Sequence, residues 1–467
     1  MDLDGTVLHT DTLHELALQM LRDHPATTLR IPAWLARGKA NMKQRISALA
    51  RLNPETLPYN MPLLAWLREQ RAAGRHLVLC TAADRSVAEA IANHLALFDE
   101  VMASDGSVNL AGARKAASLE AKFGVGGFDY AGNSATDMAV WAKAREAVVV
   151  NAPKAVLAAA EDKFTVGKVF EAPARGFSAW RRALRLHQWL KNLLLFMPLL
   201  AAHQVGDVHA WGVLVQAFMA FSLCASTVYL VNDLLDLESD RVHPTKRKRP
   251  FASGVLPVWT GVVLAPVLLA CSLVLAGHTG GKFLGWLLGY FALTCLYSWV
   301  LKRLILIDCL TLAMLYTLRV LAGAAAVGLQ VSFWILAFSV FLFLSLAFVK
   351  RYAELEMQSA TGHTKLHGRG YHTDDASLIQ TMGITAGQAS VLVLALYLNS
   401  DAVTLLYKSP ELIWGAVPIM LFWIHWMWMQ AHRGRMHDDP LVFAVKDRIS
   451  LLTGAAAALF LLAGALV

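Results

Sequence analysis

Two patterns of apolar and polar positions divide the chain near residue 180. Before it, short apolar runs at 76–84 (HLVLCTAAD), 98–104, 128–133 and 147–153 alternate with amphipathic stretches, one reaching His94 and one around Lys115. That alternation predicts parallel strands joined by helices, an α/β sheet. The region between Asp11 and Gly74 has helical periodicity without strand runs and predicts a helical cap. Beyond Trp189 the pattern changes to long apolar stretches, at about 189–205, 210–231, 258–277, 283–301, 304–327, 332–349, 377–398, 411–430 and 449–467. Most reach the roughly 17 to 25 residues that cross a hydrocarbon core as helix. The reading is therefore multi-domain. An α/β domain spans 1–150, a linker punctuated by Pro153, Pro173 and Gly176 spans 151–180, and an all-helical membrane domain of nine spans covers 181–467.

Composition supports the division. Of 467 residues 56% are hydrophobic and 16% charged, with mean hydropathy +0.46. An ordinary soluble chain carries roughly 25% charged residues, so lipid is expected to cover part of this surface. Between successive spans, nineteen Lys and Arg fall on one side and two, Lys282 and Lys408, on the other. By the positive-inside rule this predicts an integral protein of a bacterial-type inner membrane with its N-terminal domain in the cytoplasm. The net charge of +8 thus belongs to a bilayer surface, and no nucleic-acid role is expected. Five cysteines without a CxxC pair predict no disulfide or thiolate metal site. The opening MDLDGTVLHT has neither the basic nor the apolar region of a signal peptide.

Candidate chemistry in the membrane half gathers on the predicted cytoplasmic side. The second span ends in VYLVNDLLDLESDRVHPTKRKRP, where Asn232, Asp236 and Asp240 recur at i, i+4 and i+8 with Asp233 beside them. On one continuous helix this stripes a face with oxygen ligands, a set that suits Mg²⁺ carrying a diphosphate. After the fourth span stand Tyr297, Lys302, Arg303 and Asp308; after the sixth stand Lys350, Arg351, Tyr352, Glu354 and Glu356; and Arg319 lies inside the fifth. Ionisable groups at or within the membrane point to function by default. Cations around a metal-bound diphosphate would stabilise the charge developing on it as it leaves.

NDLLDLESD resembles the NDxxDxxxD motif of the UbiA superfamily of membrane prenyltransferases, and YSWVLKR resembles its YSxxxKR. The resemblance implies a helical bundle, Mg²⁺ at Asn232, Asp233, Asp236 and Asp240, and a prenyl or related diphosphate donor. Where aromatic prenyltransferases of the superfamily carry a second Asp-rich motif, this chain has KRYAELE. With the KRKR run, that departure resembles the polyprenyl-phosphate (decaprenyl-phosphate) phosphoribosyltransferases, transferases of cell-envelope biosynthesis. It implies phosphoribosyl diphosphate as donor and polyprenyl phosphate, or another isoprenoid lipid, as acceptor. A sugar donor with an extra 5-phosphate needs more cations, which Lys246, Arg247, Lys248, Arg249, Lys350 and Arg351 would supply. An aromatic prenyltransferase and a transporter or membrane scaffold are the alternative classes.

In the first domain DLDGT, then LVLCTAAD, a lysine and GNSATD resemble the haloacid dehalogenase superfamily of phosphatases. The resemblance implies Asp2 as nucleophile, Asp4 as general acid/base, Thr81 and Lys115 as phosphate contacts, and weaker Mg²⁺ binding by Asp2, Asp4, Asn133 and Asp137. Two departures stand out. Only Met1 precedes Asp2, where the family has a central apolar strand, and Asn133 replaces the usual Asp. The expectation is a genuine fold with a weakened phosphatase, positioned to remove the product's 5-phosphate.

Overall fold

The computed structural model describes all residues except 174–175, 361, 363, 367, 401–406, 437–438 and 467. Two compact units divide it. The first holds Met1–Leu184 with Tyr229–Ala265, and the second Arg185–Val228 with Pro266–Val467. The Asp-rich segment of the membrane half therefore packs as part of the N-terminal unit.

In that first unit β1 (Val78–Asp84) pairs in parallel with β2 (Glu100–Ser104), and β3 (Tyr130–Gly132), β4 (Ala147–Val150) and β5 (Val166–Phe170) form a second parallel sheet in that order. Successive residues point to opposite faces. Leu79, Val148 and Val150 join one apolar cluster, whereas Cys80, Ala147 and Val149 join another. Both faces are covered, as a parallel α/β sheet requires. The stretch read as a linker contains the helix Lys154–Lys163 and strand β5, so the sheet runs on to Phe170. The punctuating prolines flank these elements instead of dissolving them. Residues before β1 form the predicted helical region, including Thr12–Asp23, which Asp11 caps by accepting from Leu13 and His14, and Lys39–Leu49.

Between β1 and β3, Met1 and Asp2 bridge the two strands. The Met1 nitrogen donates to the Val78 carbonyl at 2.9 Å, the Met1 carbonyl accepts from Cys80 at 2.8 Å, and Asp2 N–H donates to Ala131 at 2.9 Å. Beyond the bridge lies a cavity of about 300 Å³ whose lining includes Met1, Trp66, Leu77, Phe128, Tyr130 and Val148. Met1 and Asp2 thus join the two strands at the site-bearing end of the sheet.

In the second unit, buried residues of Ile307–Ala326, Phe333–Ala360, Ala376–Leu398 and Ala416–His432 form one apolar core. Gly383 and Gly387 sit one turn apart at a close helix crossing, where an added Cβ would meet Trp428 and Phe348, or Ile424 and Ser345. Among the described residues seven helices are long and apolar enough to cross a membrane, not nine. The stretch from 189 is a 3₁₀ helix, Leu186–Phe196, followed at Pro198 by the short helix Met197–Ala201. Gly281–Trp299 is an apolar helix that falls outside those seven. The apolar side chains of Arg448–Leu466 face outward, Leu452 being 69% and Leu462 57% exposed, as lipid-facing residues do.

The cavity beside Met1 predicts that five apolar β-formers genetically placed before Met1 raise the thermal midpoint of the full chain in detergent by several degrees. Each side chain buried there is worth roughly 1.5–3 kcal/mol. An unchanged or lower midpoint would show that the slot does not accept a strand.

Candidate functional site

Three groups of polar side chains are buried, each built within a single unit. At the carboxyl ends of β1 and β3, Lys115 Nζ lies 3.0 Å from Asp2 Oδ1 and 4.0 Å from Asp137 Oδ1. It also donates to the Tyr130 hydroxyl at 2.9 Å. Asp137 Oδ2 accepts from the Asn133 and Ser134 amides, each at 3.0 Å, which fixes the turn after β3. Asp4 accepts from Thr12 N–H at 2.8 Å, and Thr81 is buried with its hydroxyl accepting from Ala83. Gly5, at φ +72°, lets Asn133 approach so closely that a Cβ there would collide with its amide. Burial and the neighbouring Asp11 push the Asp4 carboxyl up to about 7. Although burial opposes it, Asp2 and Asp137 hold the Lys115 ammonium above its usual range.

A cavity of about 280 Å³ opens beside Asp4, lined also by Asp11, Lys39, Lys43 and Asn109. Lys43 Nζ donates to the Ala82 carbonyl at 2.6 Å and to Asn109 at 3.1 Å, bringing a cation from the helical region to the strand ends. Sequence reasoning missed Lys43, which sits in a helix of low amphipathicity with no motif to single it out. Asp2, Asp4, Thr81, Lys115, Asn133 and Asp137 do assemble at these strand ends.

The second group lies in the Asp-rich segment. The helix Val208–Leu235 ends before Asp236, and Leu237–Val242 starts a new one. The stripe of Asn232, Asp236 and Asp240 keeps its helical spacing across this junction, since the Asp236 amide donates to the Asn232 carbonyl at 2.9 Å and the Asp240 amide to the Asp236 carbonyl at 2.8 Å, but its side chains differ in exposure, Asp236 being exposed and Asp240 buried. Asp233 and Asp240 converge instead. Arg249 Nη1 donates to Asp233 Oδ1 at 3.1 Å and to Asp240 Oδ2 at 2.5 Å, both carboxylates being buried. Burial pushes the Asp240 carboxyl up despite Arg249. Asn232 is half-buried beside them, while Lys246, Arg247 and Lys248 are exposed. Among the described residues no three His, Cys, Asp or Glu side chains gather around one point, so a four-ligand set is not assembled. The donor chemistry still fits Mg²⁺, since two buried carboxylates focus on a single positive centre with an amide nearby.

The third group belongs to the second unit. Asp308, fully buried, pairs with Arg351 at 2.5 Å and Arg369 at 3.1 Å, and accepts from the Tyr371 hydroxyl at 2.5 Å. Glu354 accepts from Arg351 and lies 3.6 Å from Arg369 Nε, and Arg369 also donates to the Tyr297 hydroxyl at 3.1 Å. Asp439 caps the helix Pro440–Lys446, and its carboxylate meets Lys191 at 2.7 Å, Lys350 at 3.2 Å and the Tyr316 hydroxyl at 2.8 Å. Burial alone would raise this carboxyl, but Lys191 and Lys350 hold it well below the carboxylate range. Arg319 is satisfied by Asn192, the Leu315 carbonyl and Tyr290, and stacks near Tyr290 and Tyr316. Among these residues four cations (Lys191, Lys350, Arg351, Arg369) face three carboxylates, and Arg319 adds a fifth positive charge with neutral partners. Such a surplus suits an anionic ligand.

Arg303 is exposed and Lys302 half-buried on the 3₁₀ turn Leu301–Arg303. Lys191, Arg369, Tyr371 and Asp439 escaped the sequence reading, because Lys191 and Arg369 passed as topology charges. The Asp-Pro before an apolar run was the available signal for Asp439 as a helix cap.

Comparison with known proteins matches these sites to two families. Residues 193–452 match the UbiA prenyltransferase family and residues 1–141 match haloacid dehalogenase-like hydrolases. An uncharacterised protein of Sinorhizobium fredii is 37% identical over 97% of this chain and 88% of its own length. Nodulation protein NoeC of Azorhizobium caulinodans is 39% identical over 59% of this chain and 90% of its own. The decaprenyl-phosphate phosphoribosyltransferase of Mycolicibacterium smegmatis is 32% identical over 57% of this chain and 86% of its own. With apolar membrane helices, the NDLLDLESD motif and a match over more than half its length, the chain belongs to the UbiA prenyltransferase family and carries a haloacid dehalogenase-like domain ahead of it.

Proposed function

We propose that the membrane half transfers a 5-phosphoribosyl group from phosphoribosyl diphosphate to a polyprenyl phosphate, releasing diphosphate at the cytoplasmic face of an inner membrane. The observation that carries this reading is the cationic surplus of the second unit. Asp308 and Glu354 are already engaged by Arg351 and Arg369, so the segment that would hold a second metal in a prenyl diphosphate site is built to grip anions instead. The phosphoribosyltransferase of Mycolicibacterium smegmatis supports the same choice.

In this scheme Asn232, Asp233 and Asp240 would hold Mg²⁺, with exposed Asp236 available to join them. A bound Mg²⁺ neutralises charge on the departing diphosphate. Arg249, engaged by both carboxylates without the metal, would turn to the donor's phosphate oxygens, where a planar guanidinium binds two at once. Lys302, Arg303, Lys350, Arg351 and Arg369 contribute positive potential, and Tyr297 orients Arg369. As the C1–O bond breaks, ribose C1 gains positive character and an oxygen of the lipid phosphate attacks it. That oxygen is already anionic at pH 7, so no strong general base is required. The N-terminal domain then removes the 5-phosphate, with Asp2 as nucleophile, Asp4 near neutrality as acid and base, and Lys43, Thr81 and Lys115 holding the phosphate. Tethering places this second step at high effective concentration.

The full chain in nanodiscs, given polyprenyl phosphate and ribose-labelled phosphoribosyl diphosphate, is expected to yield labelled lipid. Asp233→Asn should reduce the rate by about 10²–10³-fold, the usual cost of losing one electrostatic contact in a transition state. Label remaining water-soluble, with transfer from a prenyl diphosphate to an aromatic acid instead, would contradict the reading.

Donor labelled in its 5-phosphate tests the second step. Wild-type chain should release that label as inorganic phosphate, whereas Asp2→Asn should accumulate lipid that keeps it. Equal release from both proteins would remove the phosphatase assignment.

A further inference from the structure

One buried ion pair within the first unit has no part in either reaction. Arg241, next to Asp240 in the chain, donates from Nη1 to Glu15 Oε2 at 2.8 Å and from Nη2 to Glu15 Oε1 at 2.5 Å. The two side chains are 7% and 5% exposed. The remaining guanidinium donor, Nε, reaches the Ala252 carbonyl at 3.0 Å, so one residue ties together both arms of the segment carrying Asp233, Asp240 and Arg249. Glu15 comes from the helix Thr12–Asp23, whose first amide is held by Asp4.

A second contact closes the same surface. Gly254, at φ +72°, packs so tightly on His9 that a Cβ there would lie 2.6 Å from the His9 Cβ and 2.9 Å from its carbonyl oxygen. Asn151 Nδ2 lies 3.0 Å from the Gly5 carbonyl and 3.3 Å from His9 Nδ1, anchoring that stretch to the end of β4. Leu234, Leu237 and Glu238 share a small cavity wall with Leu18, Leu57 and Arg22 of the N-terminal domain.

We infer that the haloacid dehalogenase-like domain is a structural support of the transferase, its Glu15 positioning the Asp-rich loop through Arg241. Glu15 is a positioning residue: it touches Arg241, which is covalently next to a proposed metal ligand, and it touches no substrate. Removing one partner of a buried pair leaves the other charge uncompensated, a cost usually far above that of an exposed pair. The loop then samples conformations in which Asp233 and Asp240 no longer converge, and metal binding must pull it back. The result is a weaker metal requirement constant with unaltered chemistry once metal is bound.

This inference rests on the transferase reading, and its test separates the two. In the full chain Glu15→Gln is expected to raise the Mg²⁺ concentration for half-maximal lipid labelling by about tenfold, equivalent to roughly 1.4 kcal/mol, while kcat at saturating Mg²⁺ stays within about twofold. Trypsin cleavage after exposed Lys246, Arg247 or Lys248, read without any substrate, should accelerate by a similar factor. The exchange Glu15→Arg with Arg241→Glu should recover part of both losses. An unchanged Mg²⁺ requirement with unchanged trypsin sensitivity overturns the inference, as does a fall in kcat at unchanged Mg²⁺ requirement. A wild-type chain that labels no lipid defeats the transferase reading, and the trypsin comparison then decides the loop contact by itself.

Discussion

In the Asp-rich segment one guanidinium joins two carboxylates. Arg249 satisfies Asp233 and Asp240, two buried carboxylates that would repel each other without a shared cation. The clasp folds the segment back on itself, from the end of Val208–Leu235 through Leu237–Val242 to residue 249, and so brings together ligands seven residues apart. In the proposed function a divalent cation would take the place of Arg249 between the two carboxylates, bringing two positive charges where the guanidinium brings one, and Arg249 would be released towards phosphate.

The rest of the membrane half follows a related rule. Each buried ionic group there is held in a network, with Asp308 and Glu354 answering Arg351 and Arg369, and Asp439 answering Lys191 and Lys350. Arg319 is the exception in kind, donating to neutral acceptors and lying over two tyrosine rings. Buried ion networks of this sort contribute little net stability compared with apolar packing. Such networks suit the polyanionic donor of the proposed function. In the N-terminal domain Lys115 plays the comparable part, neutralising Asp2 and Asp137 at the ends of the strands.

Much of this was legible in sequence because it rests on local spacing. Short apolar runs marked four strands, with Thr81 and GNSATD at their carboxyl ends, whereas DLDGT and the helix-borne Lys115 were marked by the family resemblance. NDLLDLESD marked the segment and its helical spacing, but not which of its carboxylates are buried: Asp233 and Asp240 are, and Asp236 is exposed. The choice of Asp233 with Asp240 depends on Arg249, a tertiary partner that no period encodes. Strand β5 was hidden for a different reason: VGKVF is short, follows an Ala-rich helix and is exposed along much of its length, so it lacks the apolar run of a central strand. The count of nine spans is not confirmed among the described residues, because the first stretch does not remain one helix up to Pro198 and Gly281–Trp299 falls outside the seven. Lys191, Arg369 and Asp439 look like loop charges until folding buries them together.

The most direct test of the cation exchange is a structure of the full chain with Mn²⁺ and phosphoribosyl diphosphate, the metal located by anomalous scattering. The account predicts an anomalous peak on the Asp233 and Asp240 carboxylates, with Arg249 moved from between them onto a phosphate oxygen. Arg249 still bridging both carboxylates while the donor is bound, with the peak elsewhere, would contradict it.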